Sequence, residues 1–550
     1  MKVAKDNQDK SQIQNAGAIV VDALTCEKID TVFGIVGSHV VGIYEALRRQ
    51  PNIHCVSARH ECSAAFMGAG YARITGNVSV LIVTAGPGAL NAVNGIAQAN
   101  FSALPMVIIA GGPPTNARPF ELHTLQESHY CIKSIAPLVK EAIRPLTLNE
   151  LRSSLEKAFS ISQTGRPGPV YVEIPWDLFE AKTDHQTSYF TRNKPLSYYT
   201  ANDLEYATKA IKQSSKNLII LDKELLHDTD INEILSLAET IGAGICVTRD
   251  ALGLVDEKHA CYRGVLHDHL FGHFALDAIK SADFVLMFGF DALSDNYSRV
   301  ADIAGLHFVH FTKVTNSSKP ITLRDVCDGL KDASSSIKNS FTNIDHYRSK
   351  LEIIESVQQD SKANLYLKTL CSIAEKMKFE DLSIIDAGNH EVWARTLLPI
   401  YSNSSCIGGA NWASMGFAIP TAVAARIAAP EKRIVCITGD GCLLMSLADL
   451  STFIEYGGPS ILIILNDSEY GMMSDVQHTK FDASYETELP KIDYLALAKS
   501  MGGWGFRIQT LENVENVVSK AIASDKPFIV EVICERPPTL KFGSDISINR

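Results

Sequence analysis

Two short runs of β-branched and apolar residues, separated by a helical pattern, constrain the fold of this chain more than any other feature. The runs are residues 434–438 and 461–465, and Gly457-Gly458-Pro459 ends the helical pattern between them. A strand, a helix and a second strand of these lengths form a βαβ unit, whose right-handed crossover makes the two strands parallel. We therefore expect a buried parallel sheet here, with the carboxyl ends of both strands at one edge.

The residues that follow these two strands have complementary chemistry. Gly439-Asp440-Gly441 breaks the first strand with a tight turn, and Asn466-Asp467 ends the second. The parallel arrangement brings the carboxylate of Asp440 close to the amide of Asn466. Carboxylate and amide oxygens suit Mg²⁺, which usually also takes phosphate oxygens and water, and the free amides of the turn and helix start favour an anion. The local chemistry therefore predicts a Mg²⁺–diphosphate site.

The same segment resembles the fingerprint of thiamine diphosphate enzymes, in which Gly-Asp-Gly is followed at this distance by Asn-Asn. Asp467 departs from the pattern, because it stands where the family usually has the second Asn. An ordinary α/β turn is the alternative interpretation of Gly-Asp-Gly by itself. The resemblance implies metal ligands at Asp440, Asn466 and Ser468. It also implies cofactor contacts at Asp440, Gly441, Cys442, Asn466, Tyr470, Gly471 and Met472.

Composition and charge limit the function classes open to the chain. Its 550 residues are 46 % hydrophobic and 21 % charged, which is typical of a soluble globular protein with three or four units of ordinary domain size. The net charge of -11 argues against non-specific binding to nucleic acid or to an anionic membrane surface. The 12 scattered cysteines form no CxxC pair, and we find no apolar signal region and no apolar run of about 18 residues. These features predict a cytoplasmic protein with reduced thiols and no membrane span.

The first predicted domain covers residues 12–183, where alternating strand and helix patterns indicate a parallel sheet covered on both faces. Ligands of such sheets bind at the carboxyl ends of the strands, and Glu61 and Gly86 fall at those ends. An acidic residue favoured by a helix dipole is the ordinary interpretation of Glu61. Three segments resemble the acetolactate synthase branch of the thiamine diphosphate family, namely 58–76, 84–99 and 165–178.

The resemblance implies that Glu61 contacts the pyrimidine ring of the cofactor and that Gly86 is also a cofactor-binding residue. In this family the carboxylic acid favours the imino tautomer of the aminopyrimidine, whose nitrogen takes the C2 proton of the thiazolium ring. The resulting ylide attacks a 2-oxo acid, and the ring then accepts the electrons of decarboxylation. Thiamine diphosphate and Mg²⁺ are therefore the implied cofactors, and a small 2-oxo acid is the implied substrate.

The middle domain is predicted over residues 190–345 and resembles the family's central domain, which binds FAD in some members. Relatives often carry a glycine-rich turn after the first strand and an acidic pair after a later one, whereas this chain has Leu221-Asp222-Lys223-Glu224 and Thr312-Lys313. We therefore expect a structural domain without FAD. Three histidines lie close together in this domain, namely His267, His269 and His273. A metal site is one interpretation, but no acidic or thiol ligand occurs at an obvious spacing; a polar loop is the other.

The third predicted domain covers residues 365–540 and includes the βαβ unit. Segment 408–417 resembles the sequence GGLGTMGFGLP of the family. Core packing is the ordinary interpretation of a methionine in such a segment. The resemblance implies four further cofactor contacts, with Asn389 and His390 at the diphosphate, Met415 against the bent cofactor and Ala413 at the amino group.

The chain is thus predicted to be an α/β protein with three doubly wound parallel-sheet domains, which are pyrimidine-binding, central and diphosphate-binding. In the family that it resembles, the active site lies between the first domain of one subunit and the third domain of its partner. The resemblance therefore implies a homodimer or a homotetramer.

The reaction is predicted from a smaller set of residues. Gln126 and Lys140 resemble the spacing of acetolactate synthases, in which the first would position the substrate and the second its carboxylate; surface side chains are the alternative interpretation. Leu125 replaces the usual Phe, and Val476 stands where biosynthetic synthases often have Trp. No adjacent His-His pair, typical of pyruvate decarboxylases, occurs in the first domain. We therefore predict ligation to a second carbonyl compound after decarboxylation, with a simple decarboxylase or a non-catalytic cofactor-binding relative as alternatives.

Overall fold

The computed structural model describes residues 15–182, 199, 201–226, 231–266, 272–290, 300, 307–311, 321–332, 346–401, 405–409 and 412–537. The chain divides into two compact units. The N-terminal unit comprises residues 1–72 and 77–195, and the C-terminal unit comprises residues 73–76 and 196–550. Of the predicted features, His267, His269 and Thr312-Lys313 lie outside the described residues.

The N-terminal unit is built on a six-stranded sheet in the order β2-β1-β3-β4-β6-β5, and all its strand pairs are parallel. Its strands are β1 (Thr31–Gly34), β2 (His54–Ser57), β3 (Ser79–Val83), β4 (Met106–Gly112), β5 (Glu141–Ile143) and β6 (Pro169–Pro175). Every residue of β3, β4 and β6 is buried, as expected for central strands covered by helices on both faces.

Seven helices accompany this sheet among the described residues, and their apolar sides fill its core. In the helix Leu148–Gln163, for example, Leu151, Leu155 and Phe159 recur at helical spacing and are fully buried. Burying one such side chain stabilises the fold by about 1.5–3 kcal/mol. The helices are Ala16–Cys26, Val41–Leu47, Glu61–Thr75, Pro87–Asn91, Val93–Phe101, Tyr130–Ile135 and Leu148–Gln163.

The C-terminal unit contains two further parallel sheets. The first has five strands in the order β11-β10-β7-β8-β9. These strands are β7 (Asn217–Leu221), β8 (Gly244–Thr248), β9 (Tyr262–Leu266), β10 (Phe284–Phe288) and β11 (His307–Phe311). The described helices around it are Ala201–Gln213, Ile231–Ile241, Gly272–Ser281 and Leu323–Lys331. The helix His346–Gln359 follows and packs against helices of the next sheet.

The second sheet of this unit has six parallel strands in the order β13-β12-β14-β15-β17-β16. They are β12 (Leu382–Ile385), β13 (Cys406–Gly408), β14 (Ile434–Gly439), β15 (Ser460–Asn466), β16 (Trp504–Ile508) and β17 (Phe528–Ile533). Its described helices are Leu365–Lys376, Asn389–Leu397, Ala418–Ala428, Asp440–Met445, Leu450–Tyr456, Gly471–Phe481, Tyr494–Ser500 and Leu511–Ala523.

A buried ion pair helps to join these two sheets into one compact unit. Nζ of Lys350 lies 2.9 Å from both carboxylate oxygens of Glu257, and it also donates to the carbonyl of Leu398 at 2.5 Å. Oε1 of Glu257 accepts a bond from the backbone of Ile400 at 3.1 Å. Residues on both sides of the junction thus satisfy two charges that are almost fully buried, which makes their removal from water tolerable.

Three parallel α/β sheets therefore confirm the predicted fold class, while the predicted domain limits stay predictions. One local prediction was wrong. A helix begins at Asp440 directly after β14, where we predicted a tight turn, so the helical segment starts earlier than the apolar spacing indicated. Within the described ranges, no helix is both long enough and apolar enough to cross a membrane.

Candidate cofactor and active site

The carboxyl ends of β14 and β15 bring the three predicted metal ligands together. The strands pair in parallel, with Gly439 opposite Leu465, so Asp440 and Asn466 follow at the same level. The carboxylate of Asp440 accepts hydrogen bonds from the backbone amides of Gly441 at 2.7 Å and Ser468 at 2.8 Å. The hydroxyl of Ser468 donates to Oδ1 of Asn466 at 3.3 Å. Carboxylate, amide and hydroxyl or carbonyl oxygens thus converge on one small region.

Two charged residues behind Asn466 orient its amide. Its Nδ2 donates to Glu531 at 2.8 Å, and Arg507 donates to the other oxygen of Glu531 at 2.7 and 2.9 Å. Because the nitrogen is bonded on this side, the amide oxygen is directed towards Ser468. Such outer partners fix the orientation of a metal ligand.

Burial dominates the electrostatics of this cluster. It raises the pKa of Asp440 to about 6. Burial, followed by the nearby charge of Asp440, raises the pKa of Asp467 to about 7. A bound cation would stabilise the charged form of these two buried carboxyl groups.

The donor set is that of a hard cation. Over the part of the chain that the structure describes, no group of three or more His, Cys, Asp or Glu side chains is arranged to hold a metal. One carboxylate with an amide and a backbone carbonyl, completed by phosphate oxygens and water, is a set that Mg²⁺ accepts and that Zn²⁺ does not favour.

His390 is placed as an additional polar contact for an anion beside the cluster. The residue is buried, and its Nε2 has no hydrogen-bond partner among the described residues. Burial lowers its pKa to about 4, so the imidazole is neutral at physiological pH. A β-carbon at Gly439 would lie 3.0 Å from Nδ1 of His390, which places the ring against the end of β14. An unpaired buried nitrogen at this position fits a bound diphosphate.

Asn389 is engaged with the protein itself. Its Nδ2 donates to Asp475 at 3.0 Å, and Asp475 forms an ion pair with Arg536 at 3.0 Å. Arg536 also bonds Glu469 at 2.9 Å, and a β-carbon at Gly471 would lie 2.6 Å from the Arg536 side chain. These contacts hold the start of the helix Gly471–Phe481, whose first amides can receive an anion.

The residues Gly441, Cys442 and Met472 surround the proposed metal ligands, and a close neighbour explains the glycine. A β-carbon at Gly441 would lie 2.8 Å from the ring of Tyr470. The thiol of Cys442 donates to the carbonyl of Ala387 at 3.0 Å, so this side chain faces the protein. Met472 is half-buried in the first turn of the following helix.

The segment with Ala413 and Met415 is held by an aspartate that sequence reasoning did not select. The buried carboxylate of Asp386 accepts from the backbone amides of Gly416, Phe417 and Ala418 at 3.0, 3.3 and 3.3 Å. Burial raises its pKa to about 6. Its position directly after β12, at a strand end, is the signal that could have identified it. Ala413 is exposed with a φ of 51°, and Met415 is half-buried.

In the N-terminal unit, Glu61 begins the helix Glu61–Thr75 after β2. Its Oε2 accepts a hydrogen bond from Asn91 at 3.0 Å, and a β-carbon at Gly88 would lie 3.3 Å from its Oε1. Gly86 precedes the helix Pro87–Asn91 with a φ of 65°, a conformation that favours glycine. Glu61 and Gly86 thus lie at the same edge of the sheet, and Asn91 is a neighbour that the sequence patterns did not indicate.

The structure separates the two residues predicted to contact substrate. Gln126 is exposed in the segment that follows β4, at the carboxyl edge of the sheet. Lys140 instead precedes β5 and therefore lies at the opposite, amino edge. Its Nζ donates to the carbonyls of Ile161 and Thr164, both at 2.5 Å, at the end of the helix Leu148–Gln163. Burial lowers the pKa of Lys140 to about 8. The predicted role of Lys140 in carboxylate binding is therefore wrong for this sheet edge, and we assign it to helix capping.

Two histidines that are far apart in the sequence lie side by side in the structure. The rings of His39 and His123 stack with centroids 4.9 Å apart, and Nδ1 of His123 lies 2.7 Å from the carbonyl of Ala85, next to Gly86. The search for two adjacent histidines missed this pair because the residues come from different loops.

The carboxyl end of β7 is filled by the chain's own side chains. Asp222 accepts hydrogen bonds from the backbone of Lys223 at 2.8 Å and from Thr248, and both Lys223 and Leu225 are buried. Burial raises the pKa of Asp222 to about 6.

Of the predicted histidines, His273 is exposed and contacts Phe274 with ring centroids 4.1 Å apart.

Comparison with known proteins identifies the family. Three family models match successive parts of the chain: the N-terminal binding domain of thiamine pyrophosphate enzymes over residues 14–133, their central domain over 204–316 and their C-terminal binding domain over 386–532. The chain belongs to the thiamine pyrophosphate enzymes. Thiamine pyrophosphate and thiamine diphosphate are two names for one cofactor, and the last model includes Asp440, Asn466 and Ser468.

Within this family of thiamine diphosphate enzymes, the chain is similar to acetolactate synthases over almost its whole length. It is 26 % identical to the probable acetolactate synthase large subunit of Methanococcus aeolicus, with 94 % of this chain and 91 % of that protein covered. It is 27 % identical to the acetolactate synthase large subunit of Haemophilus influenzae, with 92 % and 91 % covered. It is also 25 % identical to the mitochondrial acetolactate synthase catalytic subunit of Saccharomyces cerevisiae, with 94 % and 80 % covered.

Proposed function

We propose that the protein is a thiamine diphosphate- and Mg²⁺-dependent transferase of the acetolactate synthase type. It decarboxylates a 2-oxo acid and joins the remaining acyl group to a second carbonyl compound. The observation that carries the proposal is the convergence of Asp440, Asn466 and Ser468 at the ends of β14 and β15, in a chain similar to acetolactate synthases along its length.

The C-terminal unit supplies the residues that would hold the diphosphate and its metal. Asp440, the amide oxygen of Asn466 and the carbonyl of Ser468 are the proposed Mg²⁺ ligands. His390, with its unpartnered Nε2, and the first amides of the helix Gly471–Phe481 are the proposed diphosphate contacts. When bound, thiamine diphosphate supplies the carbon nucleophile and the electron sink for decarboxylation.

Glu61 is the proposed proton-sharing group at the pyrimidine ring. Its carboxyl group lies at the carboxyl edge of the N-terminal sheet, and its contact with Asn91 at 3.0 Å holds it in place. A carboxyl group in this position can donate to or accept from a ring nitrogen, whereas an amide of the same shape cannot transfer a proton.

Gln126 is the proposed substrate-positioning residue, because it is exposed at the same edge as Glu61. Leu125 and Val476, with exposed fractions of 50 % and 41 %, differ from the aromatic residues usual in biosynthetic synthases. Smaller side chains at these two positions leave more room for an acceptor, so we propose that the acceptor can differ from pyruvate.

The proposed assembly is a cytoplasmic homodimer or homotetramer in which Glu61 of one subunit and Asp440 of another serve one cofactor. Exposed apolar side chains that lie in the same segments of both units support association, because larger exposed apolar patches mark interaction sites. In the N-terminal unit they follow β1, β3 and β4, namely Val36, Val41, Leu90, Phe120 and Leu122. In the C-terminal unit they are Met445 at the end of the helix Asp440–Met445, Met473 in the first turn of the helix Gly471–Phe481, and Phe481 at the far end of that helix.

Product analysis tests the proposed reaction. Incubation with pyruvate, Mg²⁺ and thiamine diphosphate, with and without a panel of aldehyde and 2-oxo acid acceptors, is expected to give ligated products detected by mass spectrometry. Ligation is favoured when the acceptor is held beside the reacting carbon, because proximity lowers the activation barrier by several kcal/mol. Protein with Glu61→Gln is the control for chemistry that does not need the site. Acetaldehyde as the sole product across the panel would contradict the ligation step.

A simple 2-oxo acid decarboxylase is the second candidate. The stacked pair of His39 and His123 favours it, because an imidazole close to the reacting carbon can supply the proton that ends the reaction as an aldehyde. The same product panel separates the two candidates by the ratio of aldehyde to ligated product.

We also propose that the protein binds no FAD. The buried side chains of Lys223 and Leu225 occupy the end of β7, where a nucleotide would need open backbone. The purified protein is expected to lack the visible absorption of a flavin after release of any bound cofactor by acid. A near-stoichiometric flavin spectrum would refute this prediction.

A further inference from the structure

A carboxylate is buried directly beside the proposed diphosphate site of the C-terminal unit. Glu391 follows His390 in the first turn of the helix Asn389–Leu397, which begins after the carboxyl end of β12. The side chain of Glu391 is only 6 % exposed. A negative charge held out of water at this place would repel an anion, so a site for a diphosphate must offset it.

Two arginines offset the charge of Glu391. Nη2 of Arg395, one helical turn further on, lies 2.9 Å from Oε1 of Glu391, and Nη2 of Arg249 donates to the same oxygen. Burial opposes ionisation of Glu391, but the charges of Arg395 and Arg249 together lower its pKa. The group therefore has two positive charges and one negative charge, which is a net charge of +1.

Arg249 comes from the sheet β7–β11 rather than from the sheet that carries the proposed site. It begins the short turn Arg249–Ala251 directly after β8. The next residue of the turn, Asp250, has its carboxylate 4.0 Å from Nζ of Lys223, so its charge is paired within the same sheet. The sheet β7–β11 thus contributes a positive charge to the end of its neighbour.

The helix turn that contains Glu391 also holds the imidazole of His390. The carbonyl of His390 accepts a hydrogen bond from the hydroxyl of buried Tyr366 at 3.0 Å. β-Carbons at Gly388 and Gly439 would lie 2.8 and 3.0 Å from atoms of its ring. Because the ring is confined on these sides and its Nε2 has no hydrogen-bond partner among the described residues, that nitrogen is available to a ligand.

Arg395 has more hydrogen-bond donors than its surroundings use. Its Nε and Nη1 are buried, and neither has a partner in the part of the chain that the structure describes. A β-carbon at Gly408 would lie 2.7 Å from its Nη2. Gly408 ends β13 and pairs with Ile385, the last residue of β12, so the guanidinium lies at the carboxyl edge of the sheet. Spare donors at this edge favour an anion.

We propose that Arg249 and Arg395 enable the start of the helix Asn389–Leu397 to receive a diphosphate, because together they outweigh the buried charge of Glu391. Arg249 is thereby a positioning residue supplied by the sheet β7–β11, and it acts on the cofactor through Glu391 and His390. This inference rests on the proposed function, since the diphosphate belongs to the proposed cofactor. It gives the central domain a part in cofactor binding, although we propose no nucleotide for it.

Isothermal titration of the full-length protein with Mg²⁺ and inorganic pyrophosphate tests the proposal without any turnover. Pyrophosphate resembles the diphosphate of the cofactor and lacks its rings, and a second titration uses thiamine diphosphate itself. Arg249→Gln keeps a donor for Glu391 but removes one positive charge, which lowers the net charge of the group from +1 to zero. We expect about 10-fold weaker binding of both ligands, as for loss of an outer partner of a metal site. Arg249→Lys keeps the charge and should retain most of the affinity.

A double variant separates the effect of charge from an effect on structure. Arg249→Gln combined with Glu391→Gln removes one charge of each sign and restores the net charge of +1, so the affinity should return towards the wild-type value. A merely structural ion pair would instead leave the double variant binding no better than Arg249→Gln, and that result would overturn the charge argument.

Glu391→Gln alone provides the test should Arg249→Gln not fold, as judged by circular dichroism. It raises the net charge of the group to +2 and should bind both ligands at least as tightly as the wild-type protein does. Weaker binding in Glu391→Gln would overturn the proposal.

Arg348→Gln is the matched control, because it removes an exposed arginine of the same unit that pairs with Glu352 at 3.3 Å. It should bind both ligands as the wild-type protein does. Wild-type affinity of Arg249→Gln for both ligands would overturn this inference alone. Absence of Mg²⁺-dependent binding of either ligand to the wild-type protein would overturn the proposed function.

Discussion

Replacement of Asp440 by Ala is expected to abolish Mg²⁺-dependent binding of thiamine diphosphate. Asp440 is the sole carboxylate among the three proposed ligands, and it also receives the amides of Gly441 and Ser468 at 2.7 and 2.8 Å. Loss of an outer partner of a metal site typically costs 10- to 100-fold in affinity, so loss of the charged ligand should cost more than about 10²-fold. Isothermal titration with Mg²⁺ and cofactor measures this change.

The controls separate metal binding from folding. Asp440→Asn removes the charge and keeps one of the two acceptor oxygens, so it should perturb the fold less than Ala does and still bind the cofactor poorly. Glu431→Ala removes an exposed carboxylate before β14, at the opposite end of the same strand, and should bind as wild-type does. Wild-type affinity in both Asp440 variants would contradict the proposed Mg²⁺ site.

Glu61→Gln is expected to leave the fold and diphosphate binding nearly intact and to slow activation of the cofactor. The amide keeps the size of the side chain and can still contact the pyrimidine ring, but it cannot share a proton. Loss of one acid–base group typically costs about 10² to 10⁴ in rate. Exchange of the C2 proton of bound thiamine diphosphate for deuterium, followed by NMR after rapid quenching, measures the affected step directly.

A matched substitution tests whether the effect is specific to this carboxyl group. Glu141→Gln changes a carboxylate at the amino end of β5, on the other edge of the same sheet, and should exchange at the wild-type rate. Asn91→Ala removes the donor to Glu61 and is expected to give a smaller loss than Glu61→Gln, because the carboxyl group remains. Exchange at the wild-type rate in Glu61→Gln would rule out the proposed role.

The parallel sheets and the class of cofactor follow from local patterns in the sequence. Buried strands such as β14 and β15 are continuous apolar runs, and in the helices between them the apolar residues recur at helical spacing. A right-handed crossover then brings Asp440 and Asn466 to one sheet edge, whatever the details of the loops. For this reason the proposed metal ligands could be predicted without coordinates, and the family models agree with the cofactor.

Side-chain partners within the loops were decided by the tertiary structure. The bond from Asn91 to Glu61, the support of Gly416 by Asp386 and the stacking of His39 on His123 join residues from segments that are far apart in the sequence. Lys140 illustrates the same limit in the opposite direction: its spacing resembled a substrate residue, but the direction of β5 places its ammonium group at a helix end. The parallel direction of the strands follows from the alternation of strands and helices with right-handed crossovers. Loop contacts depend on individual backbone angles, such as the φ of 60° at His123, that no local pattern specifies.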